Sequence, residues 1–166
     1  RTDLVTPKFD ALDFSGVTSF ANCWKAATSL TSFSSNVDLS SGTDFTGCWR
    51  GCSSLEEFPG TLDLSSGQNF YACWYNCNSL GEFPGTLDLS SGTNYSYSWF
   101  YCSSLSQFPG TLDLSSGTNF YGCWSYCTSL TEFPTNFFDY WTGTPANTCF
   151  VNAWDGCSSL TATSVE

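Results

Sequence analysis

Cysteine pairs separated by a tryptophan and two further residues stand out first: CWRGC at 48 to 52, CWYNC at 73 to 77 and CWSYC at 123 to 127. Such pairs can hold zinc, cycle as a redox dithiol, form disulfides or fill a core as thiols. Zinc needs four converging ligands, and the chain has ten Cys but no His to assist. A redox dithiol needs one exposed reactive pair. These pairs recur, at spacings that point both columns of cysteines inward, so neither a metal nor a cofactor is expected.

The element that positions the cysteines is a repeat. Trp24, Trp49, Trp74, Trp99 and Trp124 are 25 residues apart, and Trp154 follows after 30. Other columns keep that register: Phe20, Phe45, Phe70, Tyr95, Phe120 and Phe150; Leu30, Leu55, Leu80, Leu105, Leu130 and Leu160; Phe33, Phe58, Phe83, Phe108 and Phe133. In one copy, TLDLS alternates as a half-buried strand between the turns Pro59-Gly60 and Ser65-Ser66-Gly67. Phe70, Cys73, Trp74, Cys77 and Leu80 then fall at spacings of three and four, which predicts a short helix, capped by Asn69 or, one copy earlier, Asp44. Such a unit buries its apolar face only by stacking on others. The expected fold is a right-handed solenoid of six coils, each with short parallel strands and one short helix. Residues 9–161 form its single domain, with an N-terminal extension at 1–8, an insertion at about 135–149 and a tail at 162–166.

Phe-x-x-Cys-Trp-x-x-Cys-x-Ser-Leu, as in FYGCWSYCTSL (120 to 130), resembles the BspA-like leucine-rich repeats and the related Mycoplasma-type surface-protein repeat. The match runs from about Phe9 to Thr161. It departs from the family in its Trp for Phe, its second Cys for a small residue, and its irregular sixth copy. The resemblance implies a leucine-rich-repeat-like solenoid on a cell surface.

Two disulfide layouts fit the columns, and buried free thiols are a third reading. Bonding within a copy would close 48–52, 73–77 and 123–127. Bonding from one copy to the next gives Cys23–Cys52, Cys48–Cys77, Cys73–Cys102 and Cys123–Cys157, leaving Cys127 and Cys149 to pair. The second layout accounts for Ala27, Ser98 and Ala153, where a column lacks its Cys. Each staple would contribute about 3 kcal/mol on the chain-entropy account.

With 15 acidic and 4 basic residues the net charge is -11, which repels nucleic acid and anionic lipid. No apolar run is long enough to span a membrane. Cysteine content and the scarcity of charge favour an extracellular or cell-surface setting, and the start at Arg1, without Met or apolar leader, suggests a trimmed chain. Asp13, Asp38, Asp63, Asp88 and Asp113 form an outward ladder that reads as solvated carboxylates held by Ser and Thr hydroxyls, with Ca²⁺ as the weaker candidate ligand of Asp38, Asp63, Asp88 and Asp113. Glu57, Glu82 and Glu132 form a second acidic column with Gln107. Catalysis by paired carboxylates needs one distinctive pair, and here carboxylates repeat on every coil, so no enzyme is expected. Asn94-Tyr95-Ser96 is a glycosylation sequon.

Tyr71, Tyr75, Phe100, Tyr101, Tyr121 and Tyr126 lie outside the core pattern, where they can stack on sugar rings or simply crowd one another. The ends carry no clear capping repeat, which leads to the expectation of head-to-tail stacking into a filament or surface appendage. The alternative is an adhesin whose aromatic face binds carbohydrate or a host surface protein.

Overall fold

A computed structural model describes residues 12–34, 36–58, 62–83, 87–108, 112–132 and 148–161. The expected extension at 1–8, most of the insertion at about 135–149, Phe133 and the tail at 162–166 lie outside these residues. Two interior columns show how the copies stack. The six tryptophans of the repeat column, Trp24, Trp49, Trp74, Trp99, Trp124 and Trp154, stand ring on ring, with centroids 5.6, 5.7, 5.1, 5.9 and 5.5 Å apart. The Phe20 to Phe150 column stacks in the same way at 5.5, 5.4, 5.5, 5.3 and 5.0 Å. Tyr95 fits this phenylalanine column because its hydroxyl donates to the Leu89 carbonyl. Phe33, Phe58, Phe83 and Phe108 stand nearly perpendicular to the indole of their own coil, at 4.8, 5.1, 5.2 and 5.2 Å. Edge-to-face pairs of this kind add roughly 0.5–1.5 kcal/mol each beyond their buried area.

The expected helix does not form; among the described residues there is no α-helix. In its place each coil carries a ribbon of overlapping turns. The amides of Cys23, Lys25 and Ala27 bond back to the carbonyls of Phe20, Asn22 and Trp24, three residues earlier. Those between them, on Phe20, Asn22, Trp24 and Ala26, donate to Asp44, Thr46, Cys48 and Arg50 of the next coil at 2.8, 2.8, 2.9 and 2.7 Å. The same four bonds recur at every joint, ending with Phe120, Gly122, Trp124 and Tyr126 on Cys149, Val151, Ala153 and Asp155. An α-helix would direct all these amides along its own axis and leave none to bridge coils. The ribbon satisfies the buried backbone and binds neighbours at once.

Its geometry needs a left-handed residue two positions before and two after each tryptophan. Asn22 and Ala26 have φ of 55° and 57°, and Gly47 and Gly51 have 58° and 75°. The pattern continues to Asn152 and Gly156, at 56° and 73°. Glycine and asparagine take this conformation at least cost, while Ala72, Tyr97, Tyr101 and Tyr126 hold it at some expense.

The strand expectation survives in reduced form. β1 (Leu62–Asp63) and β2 (Leu87–Asp88) pair in parallel with Leu62 opposite Leu87 and Asp63 opposite Asp88. Leu62, Leu64, Leu87 and Leu89 are buried while Asp63 and Asp88 face out, as strict alternation demands. A second parallel line, Ser19, Asp44, Asn69, Asn94 and Asn119, runs one residue before the phenylalanine column. Asp44 and Asn69 do cap, though not a helix: their side chains accept the amides of Thr46 and Tyr71 two residues on, both at 3.1 Å.

Candidate functional site

No disulfide joins the cysteines in this architecture. Among the described residues no group of three or more His, Cys, Asp or Glu is placed to bind a metal ion. The five expected bonds, Cys23–Cys52, Cys48–Cys77, Cys73–Cys102, Cys123–Cys157 and Cys127–Cys149, are absent: all ten cysteines are free thiols. The reason lies in the turn ribbon. The thiols of Cys52, Cys77, Cys102, Cys127 and Cys157 donate to the carbonyls of Trp24, Trp49, Trp74, Trp99 and Trp124, one coil back, at 3.0, 3.1, 3.0, 3.0 and 2.9 Å. Ser98, the gap in the other column, donates its hydroxyl to the Phe70 carbonyl 28 residues earlier. It is a hydrogen-bonding substitute for Cys, and its presence does not require a missing disulfide.

The electrostatic neighbours of these thiols also differ from the expected diagonal. Cys73 feels Cys77 in its own coil and Cys52 in the coil before, and Cys102 feels Cys77, Cys127 and Cys123. Burial pushes Cys48, Cys73, Cys77, Cys102 and Cys123 well above the ordinary thiol range, and moves Cys52 and Cys157 to about 11. Thiols so far from ionising are poor nucleophiles and poor metal ligands. Cys149 belongs to neither column. Its carbonyl accepts the Phe120 amide in the line held elsewhere by Asn69, Asn94 and Asn119.

The acidic ladder is locally satisfied. Asp38, Asp63 and Asp88 each accept the amide and the hydroxyl of the serine two residues on, at 3.0 and 2.6, 3.1 and 2.7, and 3.0 and 2.7 Å. Asp113 accepts the Ser115 amide at 2.8 Å. The Ser40 hydroxyl and amide hold the Asp38 carboxyl below its usual value, against the opposing charge of Asp13. Glu57 and Glu82 border a shallow surface groove with Glu56 and Ser79. The sequon lies inside the asparagine line: the Asn94 amide nitrogen donates to the Asn69 oxygen at 3.1 Å, and Ser96 is buried. A glycan on that nitrogen would have to displace this bond.

The outer aromatics form two runs along the stack. In one, the Arg50 guanidinium lies 4.7 Å over the Tyr75 ring, Tyr75 stacks on Phe100 at 4.9 Å, and Phe100 meets Tyr126 edge-on at 5.6 Å, with Tyr101 stacked on Tyr126 at 4.8 Å. In the other, Tyr97 sits between Tyr71 at 6.2 Å and Tyr121 at 5.3 Å. All six expected residues therefore share one face. Tyr71, Tyr101 and Tyr126 stay 39%, 44% and 37% exposed, and Tyr75, Phe100 and Tyr121 are half covered by their neighbours. Tyr97, which joins the face, was missed because it occupies a left-handed column with Gly47, Ala72 and Gly122, within the segment expected to be helical. Its ring fits only because the next coil has Gly122, where a Cβ would come within 2.9 Å of it.

No family model and no curated protein matches the sequence. Among solved structures the chain is similar to the crystal structure of the T. pallidum leucine-rich repeat protein TpLRR. The identity is 17% and the TM-score 0.46, over 89% of this chain and 72% of that one. The repeat architecture itself rests on this chain's own bonds between coils.

Proposed function

We propose that the chain is a structural protein of the cell exterior, of the BspA-like kind its repeat resembles, whose right-handed solenoids stack head to tail into a filament or surface appendage. The supporting observation is the complementarity of the first and last described coils. At each internal joint, amides in one coil donate to carbonyls in the next. Among the described residues the amides of Asn152 and Gly156 in the sixth coil have no acceptor, and the carbonyls of Ala21 and Lys25 in the first have no donor. Placing the last coil of one copy against the first of another supplies both partners in the register used inside the molecule. Such a contact is heterologous and propagates. It also makes use of unpaired backbone edges, which a solenoid otherwise has to cover.

Ala21 and Val151 occupy the same column and are both exposed, so they would face each other across the joint. Ala21→Glu together with Val151→Glu should abolish filaments in negative-stain micrographs, and Ala21→Glu with Val151→Lys should restore them. Monodisperse short particles of the unaltered chain at every concentration would overturn the reading. A second reading, adhesion to glycans or a host surface protein, is favoured by the aromatic face and is compatible with a fibre that displays it. Saturable glycan binding lost in Tyr75→Ala with Tyr121→Ala would support it.

A further inference from the structure

We infer that the aromatic face binds a saccharide bearing a single carboxylate, with Arg50 as the anchor for that group. The inference rests on the adhesive reading and specifies its ligand. The charge distribution is the first ground. In a chain of net charge -11, the described cations Lys25 and Arg50 occupy one column, which continues as Tyr75 and Phe100 along the aromatic run. Among the described residues neither cation has a carboxylate partner, although acidic side chains outnumber basic ones 15 to 4. A cation left unpaired in an acidic protein is available to an anion from outside.

The orientation of Arg50 is the second ground. Its guanidinium carbon lies 4.7 Å from the centroid of the Tyr75 ring, which is itself backed by Phe100 at 4.9 Å. A cation–π contact uses none of the guanidinium N–H groups in a hydrogen bond to an acceptor atom, and so leaves them to grip a carboxylate with two parallel bonds. Those N–H groups meet no acceptor among the described residues. The side chain is thus held in place before any ligand arrives, which lowers the entropic cost of binding.

The groove beside Arg50 sets the rest of the ligand. It is lined by Arg50, Tyr71, Ala72, Tyr75 and Tyr97. Three phenol rings offer apolar faces for a sugar ring and hydroxyls for its polar edge. Beyond Tyr97 a second groove, lined by Thr118, Asn119 and Tyr121, offers room for a further sugar unit. A polyanion is excluded, because the net charge of the protein repels every negative group beyond the first.

Isothermal titration of the full chain with sialyllactose and with lactose tests the assignment. Sialyllactose should bind saturably, at least tenfold tighter than lactose, with an affinity that falls as salt rises. Arg50→Gln should reduce sialyllactose binding at least tenfold and remove its salt dependence, with an unchanged circular dichroism spectrum and melting temperature. Tyr97→Ala should weaken both sugars. Unaltered binding by Arg50→Gln overturns the inference, as does equal binding of an acidic tetrapeptide, which would make the partner a protein. Equal binding of both sugars, lost in Tyr71→Ala, overturns the carboxylate requirement while leaving the adhesive reading intact. Retention of no sugar on a broad glycan panel overturns both.

Discussion

Gly67→Ala isolates the packing that holds one coil on another. Gly67 follows Ser65-Ser66 and reads as a turn glycine, yet its φ lies outside the left-handed region, so backbone freedom does not explain it. A Cβ there would come within 2.3 Å of Phe70 Cζ and 2.9 Å of the Leu64 carbonyl oxygen. Phe70 has nowhere to retreat, since it is stacked between Phe45 at 5.4 Å and Tyr95 at 5.5 Å, tilted only 3° and 1° from them. Overpacking of a rigid core costs roughly 1–3 kcal/mol, and a ring clamped on both faces belongs at the upper end, about 3 kcal/mol. For a chain of this size that corresponds to a fall of about 6–12 °C in melting temperature. Urea denaturation followed by tryptophan fluorescence measures it. The control is a double-mutant cycle: in a Phe70→Ala background the obstructing ring is gone and only the Leu64 carbonyl contact remains, so adding Gly67→Ala should cost clearly less than it does in the parent. A Gly67→Ala protein as stable as the parent, or the same penalty in both backgrounds, would refute the steric account.

Ala26 is exposed and held at φ 57°, so Ala26→Gly should raise stability by about 1 kcal/mol in the same denaturation assay. Maleimide labelling of the native chain at pH 8, read by mass spectrometry, should modify exposed Cys23 first and leave Cys48, Cys73, Cys77, Cys102 and Cys123 untouched until urea is added. Resistance of all ten even in urea without reductant would mean disulfides instead of thiols. Because burial raises the folded thiol pKa, the unfolded chain releases protons first. Stability should therefore be fully present below about pH 9 and decline as pH rises toward the value of about 11 reached by Cys52 and Cys157. Asp38 shifts the opposite way, so its contribution is present above the usual carboxylate pKa and lost as pH falls; Asp38→Asn should flatten the acid limb of a melting-temperature profile.

Much of this fold was legible in the repeat. The tryptophan, phenylalanine and leucine columns named from spacing are the ones found stacked and buried, because a residue type recurring at a fixed period faces the same neighbours in each coil. The helix was misread for an identifiable reason. Spacings of three and four put Phe70, Cys73, Trp74 and Cys77 on one face of a helix, but successive three-residue turns do the same. The discriminating signal was present: Asn22, Gly47, Gly51, Asn76, Gly122, Asn152 and Gly156 sit two residues from a tryptophan, where a helix disfavours them and a left-handed turn wants them. The aromatic face was read in six of its residues. Tyr97 and the contact of Arg50 with Tyr75 were not, since both depend on which side chain of one coil leans on the next.

The sequence alone determined the period, the identity of the inward columns and the outward placement of the strand aspartates, all of which follow from alternation and repetition along the chain. The tertiary structure decided where hydrogen-bond donors go. Whether an amide closes a helix or reaches the next coil, and whether Cys52 meets another sulfur or the Trp24 carbonyl at 3.0 Å, depends on the height and rotation of one coil over its neighbour. Those two quantities are set by rings stacked 5.0 to 5.9 Å apart, a contact between residues 25 positions distant that no local pattern encodes.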